Sequence, residues 1–131
     1  MQLHDFALAQ VGKPFVWGRM DCNTLAAQAL DLATGSSVFD SIYGRYSSLR
    51  SALRFQCANP TPRTILDRAG AEIVTTPQDG DFLLSDIGGI TACNICLGEF
   101  ALSADIAKGI QLVPVSEIPY YQIWRLPSCH K

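Results

Sequence analysis

The stretch GKPFVWGRMDCNTLAAQALDLATG, Gly12 to Gly35, decides how this chain is read. An aromatic run, Phe15-Val16-Trp17, ends in Gly18; Arg19-Met20-Asp21 follows, and Cys22 heads an apolar pattern. Leu25, Ala26, Ala29, Leu30 and Ala33 recur three and four residues apart, the spacing of a helix with one buried face. Gly35 lies just past the last of them, where such a helix stops. Asp21 is a good N-cap, so Cys22 falls in the first turn. There the free N–H groups and the helix dipole favour a thiolate and lower a thiol pKa. The same position also suits a structural cysteine, since free Cys is among the most buried residue types.

Composition narrows the setting. A chain of 131 residues makes one domain with a single core, taken as residues 1–131 with a C-terminal tail over 127–131. Apolar residues are 48%, charged residues only 17%, and the net charge is -2. So sparse a charge, with a mean hydropathy of +0.15, is read in two ways: apolar surface that a partner covers, or a surface that is simply poorly soluble. Lys and Arg occur as scattered single residues, which gives no footprint for nucleic acid. Arg45, Arg50 and Arg54 partly follow helix spacing and read as a solvated face. No run approaches the roughly 18 to 20 apolar residues of a membrane span. The N-terminal MQLHDFALAQVG reads as a short amphipathic helix, with Leu3, Phe6, Ala7 and Gln10 on one face. It lacks the basic region and cleavage site of a signal peptide, which points to synthesis in the cytoplasm.

The five cysteines are Cys22, Cys57, Cys93, Cys96 and Cys129, an odd number that argues against a disulfide framework. Cys93 and Cys96 form a C-x-x-C, but in ITACNICLGEF, which reads as a strand and not as the helix opening that redox pairs use. A metal would need two further ligands, and Cys129 with His130 could offer them. On a strand, however, residues three apart point to opposite faces. Buried strand cysteines are the expectation, with no cofactor.

Helices come first and strands second. Helices are expected over about residues 2–11, 22–34, the segment SSLRSALRFQ with a serine N-cap, and Arg63 to Ala69, closed by Gly70. SSVFDSIYGRY reads as a connection. Strands are expected at AEIVTT, DFLLSD, ITACNICLG, EFALSA, GIQLVPV and YQIWRL. Tight glycine turns between them give an antiparallel sheet, and helices grouped on it give an α+β domain.

With this layout, Phe15-Val16-Trp17-Gly18 and Asp21-Cys22 resemble the opening of the NlpC/P60 family of papain-like cysteine peptidases. The family's Gly-Asp entering a strand corresponds to Gly80-Asp81-Phe82-Leu83-Leu84, and its Leu-Gly turn to Ile95-Cys96-Leu97-Gly98. The likeness spans about residues 12–126. It is closer to short, divergent phage and prophage tail-associated proteins with a Trp-Arg end, here Trp124-Arg125. The resemblance implies a papain-like fold, N-terminal helices on an antiparallel sheet, with Cys22 as nucleophile and a histidine base opening the strand before the Leu-Gly turn.

That base is missing. Counting back from Gly98, its position is Ala92, flanked by Thr91 and Cys93. A thiol needs a base to stand as a nucleophile near neutral pH. The two histidines are His4, in the first helix, and His130, in the tail. Asn94 can orient a group or donate to an oxyanion but cannot take a proton at neutral pH. Phe15 and Trp17 line the cleft or fill the core, and Arg19 with Asp21 reads as an ion pair that fixes the loop. The resemblance then implies a phage tail-tip or baseplate component on a degenerate peptidase fold, its partners other tail proteins and its place the virion. The alternative is an active peptidase or amidase on peptidoglycan peptides, with Cys22 attacking the amide and a base from His4, His130 or a partner chain.

Overall fold

Asp21 ends an extended segment and starts the longest helix, and the rest of the molecule is arranged around that point. In the computed structural model, which describes residues 2–127, five α-helices precede six strands. Helix α1 (Gln2–Gln10) buries Ala7 and packs Leu3 and Phe6 on the core. Helix α2 (Cys22–Thr34) has the expected bounds and buries Leu25, Ala26, Ala29 and Leu30. Asp21 caps it by accepting from the Thr24 N–H, and Thr24 returns the bond to the Asp21 N–H, a reciprocal capping box. Gly35 ends it in the left-handed region, at φ 74.

The segment after α2 is not a plain connection: α3 (Val38–Ile42) forms within it. The reason lies seven residues back. The Asp31 carboxylate accepts from the Val38 and Phe39 N–H groups, which would otherwise be unpaired at the new helix end. Helix α4 (Leu49–Ala58) begins at a Ser48 cap with a second capping box through Ser51, and α5 (Pro62–Arg68) begins at Thr61 with a proline in its first turn.

The strands are β1 (Glu72–Val74), β2 (Phe82–Ile87), β3 (Ile90–Leu97), β4 (Phe100–Asp105), β5 (Gly109–Pro114) and β6 (Gln122–Arg125). They make one antiparallel sheet in the order β1-β6-β2-β3-β4-β5. The last strand returns to lie between the first two, so the sheet is not a simple meander. Phe82, Leu84, Cys93, Ile95, Leu102 and Trp124 face the helices. Leu83, Cys96, Ala101 and Ile123 face the other way, under Ile118 and Tyr120 of the β5–β6 connection, which includes a short 3-10 turn at Val115–Glu117. Both faces of β2 and β3 are therefore covered, and for that reason they read as apolar runs with little alternation.

The expected Gly-Asp and Trp-Arg motifs meet across this sheet. Arg125 places two guanidinium nitrogens on the two carboxylate oxygens of the buried Asp81, each at 2.9 Å. The Gln78 N–H also donates to Asp81, and Arg125 reaches on to the Thr76 carbonyl. The fork geometry ties the entry of β2 to β6 and to the loop after β1.

Candidate functional site: the Cys22 cleft

The turn before α2 is closed by reciprocal bonds between Val16 and Met20, with Trp17-Gly18-Arg19 at its tip. Gly18 has φ 78, and a side chain there would run into the Tyr46 carbonyl. Only glycine permits this approach. The Gly18 N–H donates to Asp21 Oδ2 at 2.8 Å, and the Tyr46 hydroxyl donates to the same oxygen at 2.8 Å. Asp21 thus fastens the turn, the helix start and Tyr46 together. The expected Arg19–Asp21 ion pair is not formed. The Arg19 guanidinium lies over the Tyr43 ring instead, 5.8 Å from its centroid, because Asp21 is buried and already taken by three donors.

The head of α2 is driven into the sheet as a wedge. Strands β3 and β4 pair only from Ile95↔Leu102 to Leu97↔Phe100, and the remaining length of each is not paired to the other. Two side-chain amides replace the lost ladder on β3. Asn23 accepts from the Cys93 N–H and donates to the Thr91 carbonyl, at 2.8 and 2.9 Å. Gln56, from α4, accepts from the Thr91 N–H and donates to the same carbonyl, at 2.8 and 2.9 Å. Buried backbone groups must find partners, and here α2 and α4 supply them.

Cys22 sits in the opening this wedge creates. Its sulfur lies 3.9 Å from the Ala104 carbonyl of β4 and accepts from the Asn94 amide of β3 at 3.4 Å. The Asn94 nitrogen also donates to the Leu102 carbonyl at 3.0 Å, so both of its hydrogens are engaged and neither is free for an oxyanion. Ala92 and Cys22 line one cleft of about 380 Å³, with Phe15, Trp17, Ile87 and Ile106 among its apolar walls. Phe15 and Trp17 meet edge to face, 5.0 Å apart. The side chain that hydrogen-bonds the sulfur is Asn94.

The electrostatics reverse the expectation drawn from the helix terminus. Burial pushes the Cys22 thiol up, from 9.0 to about 11, and the neighbouring Asp21 carboxylate adds to the rise; the Asn94 amide works in the other direction without offsetting them. The residue as a whole is half-buried, but its sulfur sits against the Ala104 carbonyl and the Asn94 amide, where desolvation outweighs the helix end.

His4 is elsewhere: its Nε2 contacts Asp79 at 2.7 Å, on the exposed side of α1. His130 and Cys129 lie outside the described residues. Cys93 and Cys96 are both buried and face opposite sides of the sheet, as strand geometry requires. Burial raises both thiols, Cys96 to about 11. Among the described residues no group of three His, Cys, Asp or Glu could hold a metal ion, and no helix is long and apolar enough to cross a membrane.

Tyr46, Asn23, Gln56 and the Asp81–Arg125 pair escaped the sequence reading. Only the last had a visible signal, since both of its members stood in noted motifs.

Fold and site together define an α+β domain, helices on a six-stranded antiparallel sheet, with a protonated cysteine at the head of the central helix. The chain belongs to the family described as Domain of unknown function (DUF6950), whose model matches residues 1–126. No curated protein matches it.

Proposed function

We propose that this chain is a structural component of a phage tail tip or baseplate, built on a degenerate NlpC/P60-type papain-like fold and without peptidase activity. The observation that carries the reading is the environment of Cys22. Its sulfur accepts from an amide that cannot act as a base, and its pKa is raised to about 11. Peptidase chemistry at neutral pH requires the opposite, a thiol ionised by a partner imidazole. A role in assembly instead needs surface that other proteins can cover. Ile87 and Ile106, on the rim of the Cys22 cleft, are 46% and 69% exposed and supply such surface. The natural partners are neighbouring tail proteins, with peptidoglycan contact during infection as an accompanying role.

Complementation tests this. Disruption of the gene in its phage should abolish infectious particles, and a Cys22→Ser copy should restore them to the wild-type titre with the protein present in purified virions. If Cys22→Ser folds normally but fails to restore infection, the peptidase reading replaces this one.

A further inference from the structure

A second cavity lies among α2, α3, α4 and α5, its inner end reaching Phe82 of β2 and Cys93 of β3. It has an inner chamber of about 50 Å³ and an outer groove of about 520 Å³. The two adjoin, with Leu30, Val38, Ile42, Phe55, Pro60 and Ile65 lining both. The inner end is lined mainly by apolar side chains, and its few polar groups are already partly engaged. The Asn23 and Gln56 amides are bound to β3, and the Tyr46 hydroxyl is bound to Asp21. An apolar occupant suits that end best, because Ala26, Ala27, Ile65, Leu66 and Phe82 make up much of its wall. The mouth is different. Arg45 and Arg68 line it, and no Asp or Glu lines either part. The Arg45 guanidinium is held over the Phe55 ring at 5.6 Å, directly beside the apolar wall.

We propose that this groove binds a free single-chain amphiphile, an aliphatic chain ending in one anionic group. The chain lies inward along Leu30, Phe55 and Ile65, and the head group meets Arg45 and Arg68. The outer volume falls within the roughly 300–1,000 Å³ of small-ligand pockets, which suits one chain and not a two-chain lipid. A peptide is disfavoured because every residue of it brings a backbone N–H and C=O, more than the few polar side chains at the inner end can pair. This inference does not rest on the proposed role in a phage tail.

The test uses the full chain and dodecanoate, held below its micelle concentration. Methyl NMR should show the Leu30, Ile42 and Ile65 methyls shifting to saturation, and the melting temperature should rise by mass action. Dodecyltrimethylammonium, with the same tail and the opposite charge, should bind about tenfold more weakly, the sum of two exposed ion pairs. Arg68→Gln and the Arg45→Gln/Arg68→Gln pair should weaken dodecanoate progressively towards the level of the cation, with ligand-free melting unchanged for Arg68→Gln. The proposal is overturned if those methyls do not respond, if the cation binds as tightly as the anion, or if both variants bind dodecanoate like the parent. Preference for intact phosphatidylglycerol vesicles, or for an apolar peptide, would overturn it equally.

Discussion

At the scale of single residues, Asp21 matters more than the cysteine beside it. Its carboxylate joins Gly18, Thr24 and Tyr46, and it is buried. Asp21→Ala removes a helix cap and leaves the Gly18 N–H and the Tyr46 hydroxyl unpaired. A loss of about 3 kcal/mol is expected in urea unfolding, against about 1 kcal/mol for Tyr46→Phe, which removes one donor and strands nothing. Cys22 carries a pH signature. Its folded pKa, about 11, stands above its ordinary 9.0, so the folded chain keeps the proton longer than the unfolded chain. The stability this confers is fully present below pH 9.0 and is lost as pH rises towards 11. Cys22→Ser should make the alkaline decline shallower in unfolding curves, though not flat, because Cys96 shifts in the same direction. Ala92, two residues along β3 from Asn94, shares its face of the strand. Ala92→His should therefore lower the Cys22 pKa by placing an imidazolium beside the thiolate, at an overpacking cost of about 1 to 3 kcal/mol. Alkylation at mildly acidic pH should accelerate; a reactivity curve unchanged from the parent would mean that position 92 does not address the sulfur.

At the scale of elements, the wedge of α2 between β3 and β4 is the feature to break. Asn23→Ala leaves the Cys93 N–H without its partner and should destabilise by about 1 to 3 kcal/mol. Gln56→Ala should cost a similar amount, and the double variant should depart from additivity, because both amides share the Thr91 carbonyl. A double-mutant cycle in chemical denaturation measures this directly. The wedge also marks how much could be read in advance. The bounds of α2 were legible because Asp21 and Gly35 act within a few residues of the helix they bound. The six strands were legible from apolar runs between glycine turns. Helix α3 was not, because its first N–H groups are satisfied by Asp31 from the preceding helix. Nor were the amide caps on β3, because Asn23 and Thr91 lie 68 residues apart and Gln56 and Thr91 lie 35 apart. Periodicity reports which face is buried, not which distant side chain completes a ladder. The rise in the Cys22 pKa was not legible for a related reason. The helix end is a local feature, whereas the desolvation that outweighs it comes from strands far along the chain.

At the scale of the molecule, the conspicuous motifs act as fasteners. Trp-Gly-Arg-x-Asp-Cys builds the turn and cap ahead of α2, and Gly-Asp meets Trp-Arg through the Asp81–Arg125 fork. Such pairs keep a fold recognisable without any reaction. They fit the proposed scaffold role, in which the apolar rim of the Cys22 cleft and the basic-mouthed groove would be the binding surfaces. The central claim is that Cys22 is held as a neutral thiol and does not serve as a nucleophile. Site-resolved alkylation tests it most directly: iodoacetamide labelling of the native chain, read by mass spectrometry at each cysteine, with exposed Cys57 as the accessible comparison. Cys22 should label slowly throughout the neutral range, with a reactivity midpoint near its raised pKa of about 11. Rapid labelling of Cys22 at about pH 6, faster than a free thiol of ordinary pKa, would show a standing thiolate and contradict the claim.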